Sequence, residues 1–120
     1  MATILVAEDN RVNQRVLSYT LRKEGHKVIS TSNGFEALEY LAGNSVDLII
    51  ADIEMPKMDG IALVKHLRAD KLYKTIPIIV LTASGQNQDH ATVTAAGAND
   101  VLTKPSSSQK LIDTIDKILN

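Results

Sequence analysis

The chain is predicted to fold as an α/β domain with a doubly wound parallel sheet of five strands, helices covering both faces. Two observations carry this. Short β-branched runs alternate with longer amphipathic stretches, strand then helix, five times over. The third run, DLIIA, is apolar at successive positions, as a strand covered on both faces must be.

The elements follow in order. Thr3 to Ala7 (TILVA) reads as a buried strand. Val12, Val16 and Tyr19, with Leu17 and Leu21 beside them, recur at helical spacing, and Gly25 stops that helix. Lys27 to Thr31 is the second strand; Phe35 to Leu41 is a short helix ended by Gly43; Asp47 to Ala51 is the third strand. Pro56 and Gly60 mark a loop before a helix from Ile61 to about Leu72 that uses Ile61, Val64 and Leu67. Pro77 opens a fourth strand, Ile78 to Leu81. A polar loop, SGQNQ, leads to an Ala- and Thr-rich helix ending at Gly97. Asp100 to Thr103 is the fifth strand, and Ser106 to Ser108 supply N-cap candidates for a last helix with Leu111, Ile112, Ile115, Ile118 and Leu119 on its apolar face. Right-handed crossovers leave few topologies, and strand order 2-1-3-4-5, that of flavodoxin-like folds, is the expectation.

Composition bounds the function. The 120 residues suit one domain spanning 1–120, and 44% hydrophobic content suffices for one core. Aromatics are 3%, so Ile, Leu, Val and Ala must build that core. A net charge of -1 argues against a nucleic-acid grip or a basic membrane face. No cysteine means no disulfide and no thiolate metal site. The opening MATILVAEDN lacks the basic start and long apolar stretch of a signal peptide, and no segment approaches the roughly 20 apolar residues of a membrane span. A cytoplasmic location is the expectation.

Parallel strands put their carboxyl ends on one edge of the sheet, and ligands bind outside that edge. Glu8 and Asp9 follow the first strand, Asp52 follows the third, Thr82 ends the fourth and Lys104 follows the fifth. Three carboxylates together repel one another unless a cation intervenes. Mg²⁺ prefers oxygen ligands, one or two carboxylates among them, so Glu8, Asp9 and Asp52 suit it. Adding Lys104 and the Thr82 hydroxyl makes a set suited to phosphoryl transfer, with Asp52 as nucleophile. Ala83 is small and would leave the phosphate accessible. His26, His66 and His90 have no partners at ligand spacing and read as surface or structural residues. Met55, Pro56 and Met58 read as packing and loop geometry.

With those residues in place, the whole chain resembles a response regulator receiver (CheY-like) domain of two-component signalling. The carriers are VAEDN (6–10), DLIIADIEMPKMDG (47–60), IIVLTA (78–83) and GANDVLTKP (97–105). Each is modest alone; four in order, each at the end of an expected strand, are specific. The resemblance implies that Asp52 accepts a phosphoryl group from a histidine kinase or histidine phosphotransfer protein. It implies metal binding by Glu8, Asp9, Asp52 and the Glu54 backbone carbonyl, and a cis Lys104–Pro105 peptide. Thr82 is then the switch hydroxyl and Lys104 the phosphate ligand, while Glu54 and Ser84 occupy positions that tune phosphoryl lifetime. Output through the fourth helix, fifth strand and fifth helix to an unknown protein is implied, as a monomer or a weak phosphorylation-dependent dimer. The Asp9-Asn10-x-x-Asn13 pattern is similar to receivers inside hybrid sensor kinases.

Two positions depart from the family. Glu8 stands where Asp is commoner, and Val101 stands where a switch Tyr or Phe is usual. Valine has no ring to turn and a stiff χ1. A phosphorylation-independent interaction module is therefore the alternative. A hydrolase using an aspartyl phosphate is disfavoured, because Asp52-Ile53-Glu54-Met55-Pro56 breaks the D-x-D-x-T pattern. A flavin site is disfavoured because the first loop is acidic.

Overall fold

The computed structural model describes residues 2–82, 87–104 and 107–120. Ten elements alternate: β1 (Thr3–Ala7), α1 (Arg11–Lys23), β2 (Lys27–Thr31), α2 (Gly34–Leu41), β3 (Leu48–Asp52), α3 (Gly60–Ala69), β4 (Ile78–Thr82), α4 (Asn87–Ala96), β5 (Asp100–Thr103) and α5 (Ser108–Leu119). All four strand pairings are parallel, and the order is β2-β1-β3-β4-β5, as expected.

Side chains alternate across each strand, so one sheet feeds two cores. Ile4 and Val6 of β1 join Leu48, Ile50, Ile79 and Leu81 under Leu21 of α1 and Leu111 and Ile115 of α5. Leu5 and Ala7 join Ile49, Ala51, Ile78 and Val80 under α2, α3 and α4. Every residue of β3 and β4 is buried, which explains their uninterrupted apolar runs. Among the described residues no helix is long and apolar enough to cross a membrane.

Several boundaries differ from expectation by one to three residues. β3 begins at Leu48 and takes in Asp52, so Asp52 ends the strand rather than following it. α4 starts at Asn87, inside the expected SGQNQ loop. Asp59 caps α3, its Oδ1 accepting from the Ala62 N–H at 2.8 Å. That helix stops at Ala69, short of Leu72. Asp70 is extended, and its Oδ1 accepts from Leu72 N at 2.9 Å, a local turn that competes with another helical turn. Leu72 is left 80% exposed. Ser107 is the N-cap of α5, while Ser106 lies outside the described residues.

The structure adds which face of α1 is buried. Its helical spacing is right, but Val12, Val16 and Tyr19 face solvent at 68%, 57% and 60% exposure. The inward face is Leu21, Ser18 and half-buried Leu17, with Ser18 hydrogen-bonded to Ser30 at 3.1 Å. The helix ends as expected: Gly25, at φ +90, lets its own N–H reach Arg22 O and lets His26 N reach Leu21 O.

This orientation predicts unequal costs. Leu21→Ala should lose about 2–5 kcal/mol in urea unfolding, as for a fully buried leucine. Val16→Ser should change stability by less than about 0.5 kcal/mol. A larger loss for Val16→Ser than for Leu21→Ala would reverse the assignment of faces.

Candidate functional site

The carboxyl ends of β1, β3, β4 and β5 lie side by side, because the register pairs Ala7 with Ala51, Asp52 with Leu81 and Thr82 with Thr103. Glu8, Asp9, Asp52, Thr82 and Lys104 therefore gather at one edge of the sheet. Asp9, Asp52, Glu54 and Lys104 line an open cleft of about 630 Å³ there, with Asn10, Asn13 and Asp59 on its rim.

Asp52 is only 4% exposed, and both its oxygens are engaged. Oδ1 accepts from the Glu54 N–H at 3.1 Å and Oδ2 from Lys104 Nζ at 2.7 Å. Lys104 in turn is fixed through its backbone, its N–H donating to Thr82 O at 2.6 Å. Thr82 is itself buried. The Glu54 side chain is exposed and turns away from the core.

Glu8 is the anomaly. It is 1% exposed, and neither carboxylate oxygen has a hydrogen bond. Its nearest opposite charge is Lys104 Nζ at 3.5 Å, and that ammonium already holds Asp52. One carboxylate oxygen each from Glu8, Asp9 and Asp52 lie within 4.8 Å of one another.

The electrostatics follow from this crowding. Burial, and then the neighbouring Asp52 carboxylate, push Glu8 from the ordinary 4.5 up to about 7, against a smaller pull from Asn13 and Lys104. Burial would raise Asp52 too. The adjoining Glu8 carboxyl, the Lys104 ammonium and the Glu54 N–H outweigh that and hold it below the usual range. Burial works against the charge on Lys104, but Asp52 and Glu8 more than offset it and raise the ammonium's pKa.

Two contributors to the geometry are not evident from the sequence. Gly60 is one. A Cβ there would lie 2.5 Å from Asp52 O and 2.8 Å from Ile53 Cα, so only glycine lets the start of α3 rest against the strand end that carries Asp52. The sequence marks Gly60 as a loop residue but not its contact with the strand end. Gln14 is the other, and the sequence offers nothing to single it out. Its amide donates to backbone carbonyls at the ends of β1 and β2.

The other expected positions are accounted for. Val101 is half-buried on β5 and packs against the core. His26 is half-buried and its Nδ1 accepts from Ala2 N at 3.0 Å; His66 is exposed; His90 meets Thr103 Oγ1 at 3.2 Å. Met55 is buried and Met58 lies against Gly34, both as packing. Ala83, Ser84 and the Lys104–Pro105 peptide lie outside the described residues.

A pH dependence follows. Without metal, the raised Glu8 makes the folded state hold a proton that the unfolded chain releases near 4.5. That stabilisation is complete below about 4.5 and is lost as pH rises through about 7. Asp52 works in the other direction, but only as pH falls below its ordinary 3.8. The metal-free Tm should therefore fall between pH 5 and 8, and Glu8→Gln should flatten the fall. Equal slopes in the two proteins would show that Glu8 is not the group responsible.

Residues 4–116 match the family model described as the response regulator receiver domain. The chain is 36% identical over 118 residues to a chemotaxis protein CheY homolog of Campylobacter jejuni, covering 97% of this chain and 91% of that protein. The solved structure of Vibrio cholerae chemotaxis protein CheY4 superposes with a TM-score of 0.93 at 33% identity, covering 99% of both chains. The receiver domain of a Pseudomonas aeruginosa sensor histidine kinase, solved with a magnesium ion coordinated in its active-site cleft, gives a TM-score of 0.91 at 32% identity, over 98% of this chain and 97% of that one. The sheet order, the acidic edge and these likenesses agree: the chain belongs to the response regulator receiver domain family of two-component signalling.

Proposed function

We propose that this receiver is an active phosphoacceptor: Asp52 takes a phosphoryl group from a phosphohistidine on a histidine kinase or histidine phosphotransfer protein, with Mg²⁺ required. The observation that carries this is Glu8, a buried carboxylate without a hydrogen bond, close to Asp9 and Asp52. A buried charge without hydrogen bonds is costly, and a hard cation among oxygen donors removes the cost. Glu8, Asp9 and Asp52 would hold it, with the Glu54 carbonyl as a further oxygen donor. Bound there, Mg²⁺ would neutralise charge on the phosphoryl oxygens.

The chain's own residues do the rest. An Asp52 oxygen forms the new O–P bond as the P–N bond to the donor imidazole breaks. The ring keeps the electron pair and takes a proton from solvent. Lys104, already within hydrogen-bond distance of Asp52, moves its contact to the phosphoryl oxygens, and the Thr82 hydroxyl donates to them. The domain acts once on itself and signals by contact, without turning over a substrate. A protein donor is also supported by α1. Val12, Val16 and Tyr19 form an exposed apolar stripe on the helix that starts beside Asp9.

One feature favours a second reading, a phosphorylation-independent interaction module: half-buried Val101 has no ring to swing outward. Intact mass after incubation with acetyl phosphate decides between them. The wild type should gain one phosphoryl group only when Mg²⁺ is present, and Asp52→Asn should gain none. A phosphorylated histidine phosphotransfer protein should label Val16→Asp more slowly than wild type, while acetyl phosphate labels both alike. No gain under conditions that modify another receiver supports the second reading, and a gain kept by Asp52→Asn rules out Asp52 as acceptor.

A further inference from the structure

We propose that Gln14 is a positioning residue for the metal-binding acids, a role that rests on the Mg²⁺ reading above. The β1–β2 ladder ends with Ala7 paired to Thr31, and one more bond, Glu8 N to Thr31 O at 3.0 Å, closes it. The Glu8 carbonyl lies beyond that last rung. Half-buried Gln14, one turn into α1, supplies its partner: Nε2 donates to Glu8 O and, at 3.0 Å, to Thr31 O, with Ser32 Oγ at 3.4 Å. The two amide protons thus tie the ends of both strands to α1.

The helix is anchored at the same place. Gln14 N donates to Asn10 O at 2.9 Å, and Asn10 caps α1 by accepting from Asn13 N at 3.0 Å. Glu8 is therefore held at its N–H by β2 and at its carbonyl by α1. Since the Glu8 carbonyl belongs to the peptide that joins Glu8 to Asp9, its orientation aims both acids. No hydrogen bond reaches the Glu8 side chain, whose one ion-pair contact among the described residues is Lys104 at 3.5 Å, so its aim rests chiefly on this backbone grip. Outer partners that orient metal ligands typically contribute 10- to 100-fold in affinity.

The test is the Mg²⁺ dissociation constant of the unphosphorylated protein, read by titrating backbone amide NMR shifts, with Tm measured in parallel. Gln14→Met keeps length and removes both donors; it should weaken Mg²⁺ binding about tenfold or more. Leu17→Ala, a packing change on the same helix, should lower Tm and leave Mg²⁺ affinity within about twofold. If Gln14→Met does not fold, Gln14→Asn, too short to span both carbonyls, takes its place. In the wild type, the Gln14 side-chain amide should exchange slowly with solvent. Wild-type affinity in the Gln14 variant, or an equal loss in Leu17→Ala, overturns the inference. A wild type that binds no Mg²⁺ overturns the reading beneath it, and the inference falls with that reading.

Discussion

One ammonium serves two buried carboxylates. Lys104 Nζ lies 2.7 Å from Asp52 and 3.5 Å from Glu8, and no other cation comes within salt-bridge distance of either among the described residues. A buried ion pair is stable only when its geometry and remaining hydrogen bonds are good. Asp52 meets that condition, with partners on both oxygens. Glu8 does not, and it is pushed toward the protonated form. The metal-free site is thus short of one positive charge at neutral pH. A divalent cation held by Glu8, Asp9 and Asp52, as proposed above, would make that deficit good.

The scaffold exists to hold that imbalance in place. Two cores on opposite faces bury β3 and β4 completely, so Asp52 and Thr82 sit at the ends of rigid strands rather than on loops. Gly60 lets α3 close against the Asp52 carbonyl. Lys104 is drawn in by its backbone bond to Thr82. Farther from the site, Arg68 ties α3 to the end of α4 and the start of β5, donating to Gly97 O, Tyr73 O and Asn99 Oδ1, each at 2.9 Å.

Much of this was legible in the sequence, for a physical reason. A strand covered on both faces must be apolar throughout, so a polar residue closing such a run marks its carboxyl end, as Asp52 and Thr82 do. Parallel order then gathers residues that are far apart in the chain. The outward face of α1 was not legible. That helix carries two apolar stripes, and spacing alone cannot say which one meets the sheet. The inward stripe includes Ser18, whose hydroxyl finds Ser30, so polarity misleads there. The end of α3 was missed because the Asp70 side chain closes a turn of its own. Gln14 and Gly60 act through backbone atoms, and contacts of that kind leave no pattern in side-chain chemistry.

The charge balance of the site turns on the protonation of Glu8. Its side-chain carboxyl carbon, followed by ¹³C NMR as pH is raised without Mg²⁺, reads that protonation directly. A midpoint near 7, displaced downward once Mg²⁺ is added, is the result the charge deficit requires. A midpoint near the ordinary 4.5 without metal would contradict it, since Glu8 would then be ionised at neutral pH with no cation needed to hold it.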